Sequence, residues 1–354
     1  LYYTTSDDAI GLSLLSYKES DEDGYFMVVA SPKLQWDDPK QMAKNIIFVL
    51  DTSGSMAGEK IVQAKSALEF SLNQLRPEDK FNVISFSDTV EPLEKELVPA
   101  NHSNVDKALR HVRKLEATGG TDINNAMLEA LERINRISGV NMIVFLTDGD
   151  PTVGETDMNT ILSNVKSKNQ KNTRIFIFGV GFDVNIHFLD KMAIQNHGSS
   201  EYVRPEENIE VKVSNLVTRI TYPVLTDIEM DYGKVDTYEV LPRELPDLFK
   251  GGQLVLTGRF RNAGGTTLKL KGKVQEQWKE FEYPAQSFTS SSTQFDFLPR
   301  IWASRKIGFL LDEIRLKGNN PELVQEVVRL SKKYGVITEY TSYLVREDVD
   351  IKRT

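Results

Sequence analysis

Asp51, Ser53 and Ser55 stand at alternate positions in Asp51-Thr52-Ser53-Gly54-Ser55-Met56, directly after the apolar run of residues 46–50. A carboxylate and two hydroxyls on one turn offer one charged oxygen and two neutral ones. That set suits a hard cation such as Mg²⁺, which takes few carboxylates and keeps several of its waters. The plainer alternative is a hydroxyl-rich turn that caps a helix. The preceding run is short, β-branched and aromatic, so it predicts a strand buried on both faces, the kind found in parallel sheets. Asp51 then falls at the strand's C-terminal end, where open α/β sheets carry their ligands.

Two later stretches complete a pattern. Thr118-Gly119-Gly120-Thr121-Asp122 precedes a helical periodicity, and Leu146-Thr147-Asp148-Gly149-Asp150 closes a second apolar run, residues 142–146. Asp51 and Asp148 both fall at the ends of central strands on pattern alone. Asp-x-Ser-x-Ser followed in order by these two loops resembles the metal-ion-dependent adhesion site of von Willebrand factor type A domains. The resemblance implies Ser53, Ser55 and Thr121 as hydroxyl ligands, with Asp51 and Asp148 binding directly or through water. It implies Mg²⁺ as the cofactor, with Mn²⁺ or Ca²⁺ as alternatives. Asp122 and Asp150 adjoin the site, either to orient ligand hydroxyls and waters or as helix caps and solvated loop carboxylates.

These loops need a scaffold, and residues 44–222 supply one by alternating strand and helix patterns, the signature of a doubly wound sheet. Helical spacing runs through Ile61, Ala64, Leu68, Leu72 and Leu75, over 104–115, and through Ile123, Met127, Ala130, Ile134 and Ile137. Further helices are expected at 161–165, 184–195 and 209–220, and strands at 81–86, 140–146, 175–180 and 200–203. Ahead of this region, residues 9–17 and 25–30 read as a hairpin around Asp23-Gly24. The acidic stretch 20–24 lacks the ligand spacing of a calcium loop, and 31–44 reads as a linker. After Pro223, Leu254, Leu256 and Phe260 precede the Asn262–Gly265 turn. Leu268 and Leu270 then alternate with Lys269, Lys271 and Lys273, as in antiparallel sheet with one wet face. Those lysines are either an anion-binding stripe or a solvated face. Trp302, Ile307, Leu310, Leu311 and Ile314 predict a helix ended by Gly318, and Asn320-Pro321 opens another. The expected fold is α/β: a doubly wound, mostly parallel sheet of type A, Rossmann-like form, inserted in or flanked by an antiparallel β-sandwich, with a C-terminal helical segment. Its expected boundaries are 1–43, 44–222, 223–296 and 297–354.

The chain has 354 residues, no cysteine and a net charge of -8. Cysteine chemistry and disulfides are excluded, and the lack of a basic cluster argues against a nucleic-acid partner. No apolar stretch is long enough for a bilayer-spanning helix. The start at Leu1, without a charged-then-apolar leader, reads as an excised or processed fragment. Asn101-His102-Ser103 is a glycosylation sequon.

Beyond the adhesion motif, Leu146–Thr152, Arg300-Ile301-Trp302-Ala303 and Tyr334-Gly335-Val336-Ile337-Thr338 are similar to inter-alpha-trypsin inhibitor heavy chains, in order and over nearly the whole chain. That resemblance implies an extracellular or cell-surface protein, with a partner drawn from matrix or cell-surface proteins. A bacterial surface protein with the same core is equally compatible. The Asp-Pro-His-Phe element that attaches those heavy chains to glycosaminoglycan is absent, so hyaluronan attachment is not carried over. The leading expectation is a non-enzymatic adhesion module whose metal accepts a Glu or Asp from a partner protein, with the helix at 209–220 as a moving part. The rivals are a scaffold with a vestigial metal site and a Mg²⁺-dependent phosphatase using Asp51. The phosphatase lacks a second aspartate at position 53, and His102, His111, His187 and His197, scattered over helices and their flanks, read as surface or capping residues rather than as a catalytic base.

Overall fold

The computed structural model describes residues 9–19, 22–33, 43–181, 184–203, 207, 212, 223–274, 277–292, 294–318 and 320–341. Strands β1 (Ile10–Tyr17) and β2 (Gly24–Pro32) form the expected antiparallel hairpin, in register from Ile10↔Pro32 to Tyr17↔Tyr25. Because side chains alternate along a strand, Phe26, Val28 and Ala30 enter one core while Tyr25 and Met27 enter another. Of the stretch expected to link hairpin and α/β region, residues 34–42 lie outside the described residues.

The α/β region opens with β3 (Lys44–Asp51), all eight residues of which are buried. The chain continues through α1 (Glu59–Asn73), β4 (Lys80–Phe86), the short β5 (Val90–Pro92) and β6 (Val98–Pro99), α2 (His102–Lys114) and α3 (Ile123–Ile134). It then runs through β7 (Val140–Thr147), α4 (Met158–Lys168), β8 (Arg174–Val180), α5 (Ile186–Ile194) and β9 (Ser200–Val203). The sheet order is β5-β4-β3-β7-β8-β9, with β6 also on β4. Strands β3, β4, β7, β8 and β9 are parallel, and β5 and β6 are antiparallel additions. On β3, Ile46, Phe48 and Leu50 pack with α1 and α2, while Ile47 and Val49 pack with α3, α4 and α5. Burial on both faces explains why these strands are apolar without alternation.

The order also locates a crevice. From β3 the chain leaves toward β4 on one side, and from β7 it leaves toward β8 on the other. The carboxyl ends of β3 and β7 therefore flank the topological switch point, the place where such sheets hold ligands.

The helix expected at 209–220 lies outside the described residues, apart from Lys212. Its proposed movement lies there too. Beyond it come β10 (Pro223–Asp231), β11 (Thr237–Leu241), β12 (Leu248–Phe249), β13 (Leu254–Phe260), β14 (Gly264–Val274) and β15 (Gln277–Phe288). They join the first hairpin in two four-stranded sheets, β1-β2-β13-β11 and β12-β10-β14-β15. The 262–265 turn therefore crosses from one sheet to the other rather than closing a hairpin. Phe26, Val28, Leu256, Phe260, Leu268, Leu270 and Phe288 meet in the core between the sheets. Sequence-distant β2 and β13 pair directly, from Leu254↔Ala30 to Phe260↔Gly24.

Helices α6 (Leu298–Lys317) and α7 (Pro321–Tyr334) cover the outer face of β2. Asn320 caps α7, accepting from the Glu322 N–H at 2.9 Å, and Gly335 ends it in the left-handed region with φ 64°. The Arg259 guanidinium lies 4.8 Å from the Tyr25 ring centroid and 5.5 Å from that of Trp302, joining sheet to helix.

The α/β region and the sandwich meet at a closed ionic cluster. Arg174, at the start of β8, donates from Nε to Asp247 Oδ2 at 2.6 Å, and Asp247 Oδ1 accepts the Asp227 N–H at 3.0 Å. Asp227 pairs with Lys273 at 2.9 Å and accepts from Asn172 Nδ2 at 2.9 Å. Phe176 meets Phe249 edge-on beside it, with centroids 5.9 Å apart. Farther along, Lys191 of α5 pairs with Glu313 of α6 at 2.8 Å.

Candidate metal centre

Strand β3 delivers Asp51 to the switch-point crevice wholly buried. Its Oδ1 accepts the Ser53 N–H at 2.8 Å, and its Oδ2 accepts the Thr147 hydroxyl at 2.7 Å from the last residue of β7. Burial pushes the Asp51 carboxyl up to about 6, against the opposing pull of its hydrogen bonds to Ser53 and Thr147. Past Asp51 a single 3-10 turn, Gly54–Met56, sets the two serines side by side, with Ser53 Oγ and Ser55 Oγ 3.0 Å apart. Ser55 Oγ donates to Asp148 Oδ1 at 3.0 Å, and Lys60 Nζ donates to Asp148 Oδ2 at 2.8 Å. Asp51, Ser53, Ser55 and Asp148 thus form one hydrogen-bonded chain.

The Thr-Gly-Gly-Thr loop is stitched onto the same turn through backbone. Thr118 N–H donates to Thr52 O at 2.7 Å, and Gly54 N–H donates to Gly119 O at 2.9 Å. The loop needs its glycines. Gly119 has φ +80°, and a Cβ there would lie 2.3 Å from Asp88 Oδ2. Thr121 follows, 3% exposed, with its N–H on Thr152 Oγ1 at 2.9 Å. Thr121 therefore reaches the cluster through its loop; among the described residues no hydrogen bond links its hydroxyl to the other four.

The neighbouring acids fall on the plainer side of the two readings. Asp122 caps α3, accepting from Asn125 N–H at 3.1 Å and Asn125 Nδ2 at 2.7 Å. Asp150 accepts from Asn185 Nδ2 at 3.2 Å, and Asn185 caps α5. The lysine stripe resolves likewise: Lys269 pairs with Glu280 and Glu282, Lys271 with Glu280, and Lys273 with Asp227. The sequon residue Asn101 caps α2, accepting from Asn104 N–H at 3.0 Å.

Thr147 and Lys60 are absent from the residues that sequence reasoning singles out. Lys60 carries one usable signal. It is the second residue of α1, and a cation in a first turn opposes the helix dipole unless a carboxylate outside the helix holds it.

The donors present fit a hard divalent cation. Every one is a carboxylate or hydroxyl oxygen, and Asp51 is ionised inside protein at a cost that a nearby cation would offset. Among the described residues no group of three or more His, Cys, Asp or Glu is placed for a metal. This cluster brings two carboxylates and makes up its oxygens with hydroxyls.

Residues 44–202 match the von Willebrand factor type A domain family, and the chain carries that domain. The whole chain is similar to inter-alpha-trypsin inhibitor heavy chains. It is 33% identical over 350 residues to heavy chain 4 of Mus musculus, covering 92% of this chain and 36% of that one. To heavy chain H4 of Homo sapiens it is 32% identical over 354 residues, covering 93% and 37%. The chain thus spans little more than a third of these relatives. Among solved structures, a von Willebrand factor type A protein from Catenulispora acidiphila superposes with TM-score 0.65 at 15% identity, covering 99% of this chain and 93% of that one. Its likeness shows the fold.

Proposed function

We propose that the chain is a non-enzymatic, metal-dependent protein-binding module. Asp51, Ser53, Ser55, Thr121 and Asp148 would hold Mg²⁺, or Mn²⁺ or Ca²⁺ in its place, and a partner protein would offer a Glu or Asp carboxylate as a further ligand. The metal supplies an electrophilic centre for that oxygen. The chain's own residues do the rest: Thr147 and the Ser53 N–H fix the Asp51 carboxylate, and Ser55 fixes Asp148. The loop bonds at Thr52 and Gly54 keep Thr121 in place. The observation that carries the reading is the hydrogen-bonded chain from Asp51 to Asp148 across the switch-point crevice. Hydroxyls rather than further carboxylates keep the cation's charge from being quenched.

The same proposal places the chain outside the cell or on its surface, in keeping with its heavy-chain relatives, and draws its partner from matrix or cell-surface proteins. No helix among the described residues is long and apolar enough to cross a membrane. It takes 44–222 as the type A unit, 1–43 with 223–296 as the sandwich, and 297–354 as the helical segment. A phosphatase is disfavoured because position 53 carries a serine in place of a second aspartate. Among the described residues, moreover, Asp51 and Ser55 are hydrogen-bonded to Ser53, Thr147 and Asp148 with no histidine base beside them.

One observation favours a second reading. The Lys60–Asp148 ion pair satisfies Asp148 without a metal, as a scaffold with a vestigial site would require. Titrating a glutamate-containing peptide with and without Mg²⁺ separates the two. Binding that appears only with Mg²⁺ supports the module; binding indifferent to Mg²⁺, or none in either condition, supports the scaffold.

A further inference from the structure

We propose that Lys60 sets the charge of the metal site, trading cation affinity for capture of an anionic partner group. The inference rests on the metal-dependent reading above and assigns it a residue outside the ligand set. Lys60 Nζ sits 2.8 Å from Asp148 Oδ2, on the oxygen that Ser55 leaves free. The Lys60 side chain is 26% exposed and that of Asp148 6%, so a partly exposed lysine meets a buried acid.

The position is built by a neighbour. Gly181 follows the last residue of β8, and a Cβ at Gly181 would lie 2.7 Å from Lys60 Cε and 3.3 Å from Nζ. The lysine stem therefore runs over bare backbone at the sheet's ligand-bearing edge. Gly181 has φ +114° and donates its N–H to Val203 O at 3.0 Å, so that floor is fixed from beneath. The first turn of a helix is an unfavourable place for a cation by the helix dipole alone. The Asp148 carboxylate, brought from another loop, is what holds it there.

Charge balance gives the consequence. With Asp51 and Asp148 ionised, a divalent cation alone would bring the site to neutrality. The Lys60 ammonium leaves one positive charge in surplus. A loaded site with surplus positive charge attracts a carboxylate more strongly than a neutral one. The same ammonium repels the incoming cation and so weakens loading. Lys60 acts with opposite sign on the two steps, a signature that a merely structural ion pair would not give.

The test uses the full chain and three proteins: wild type, Lys60→Met and Lys60→Arg. Calorimetry measures Mg²⁺ binding first, and then binding of a short peptide with one central glutamate at saturating Mg²⁺. Lys60→Met is expected to bind Mg²⁺ more tightly by about tenfold or more and the peptide more weakly by about tenfold or more, the order of one unit charge a few ångströms away when screened nearly as in water. Lys60→Arg keeps both constants near wild type. The Mg²⁺-induced rise in unfolding midpoint is correspondingly larger in Lys60→Met, which also reports that this variant folds. Both constants unchanged, or both moved in the same direction, overturns the role of Lys60 and leaves the metal site standing. Wild type that takes up no Mg²⁺, with or without peptide, overturns the metal reading and this inference together.

Discussion

The chain gathers two pairs of carboxylates in or near its interior and treats them differently. At the junction of the α/β region and the sandwich, Asp227 and Asp247 are met by Arg174, Lys273 and Asn172. Positive charge there matches negative charge, and the cluster is closed between two packed bodies. At the switch-point crevice, Asp51 and Asp148 are met by hydroxyls, one backbone N–H and a single ammonium. Charge there falls short. A buried ion cluster that balances holds parts together; one that does not is a place for a cation to arrive. The difference lies in the partners and not in the acids.

Breaking the closed cluster should cost most. Arg174→Met leaves the buried Asp247 without its countercharge, and losing one partner of a buried pair costs about 3–5 kcal/mol. Denaturant unfolding should show that loss, and Asp247→Leu on the same background should restore part of it. If Arg174→Met unfolds at the wild-type midpoint, the junction is not the tie described here.

Asp51 at the open site should respond in the reverse direction. Its folded carboxyl titrates at about 6, above the roughly 3.9 of an unfolded aspartate. Between those values the folded chain holds a proton that the unfolded chain has released, so metal-free stability falls as pH rises from about 4 to about 6 and then levels. Asp51→Asn should remove that decline and raise metal-free stability at pH 7 by on the order of 2 kcal/mol, while abolishing any Mg²⁺-induced gain. In wild type, Mg²⁺ affinity should fall about tenfold per unit below pH 6, because the cation must displace the proton. A flat profile between pH 4 and 7 for both stability and affinity would remove the electrostatic contrast between the two clusters.

How much of this could be read in the sequence follows from where each signal resides. Strand β3 announces itself because burial on both faces needs an uninterrupted apolar run. The edge strand β15 does not. Its first four residues are exposed, its outer positions carry Trp278, Glu280 and Glu282, and only pairing with β14 makes it a strand. The short β5 and β6 end in prolines and are held by β4. At the site, Asp51, Ser53 and Ser55 share one turn, so their spacing is informative. Lys60 and Asp148 lie 88 residues apart, and Thr147 and Asp51 lie 96 apart. Apart from the first-turn position of Lys60, nothing local marks those contacts, which arise because the sheet order sets β7 beside β3.

The smallest effect is expected on the lysine face of β14. Lys269 bridges Glu280 and Glu282 in solvent, where ion pairs contribute little. Lys269→Gln should leave the unfolding midpoint and Mg²⁺ affinity at wild-type values. A clear loss of either would mean that this face is more than a solvated one.

The most direct test of the central claim is Mg²⁺ titration by calorimetry, on wild type and on Ser53→Ala/Ser55→Ala, repeated with excess glutamate-containing peptide. A metal site at Asp51 gives saturable one-site binding in wild type, strengthened by the peptide and lost in the double variant, whose far-ultraviolet spectrum stays unchanged. Wild type that binds no Mg²⁺ even with the peptide, or a double variant that binds as wild type does, would contradict it.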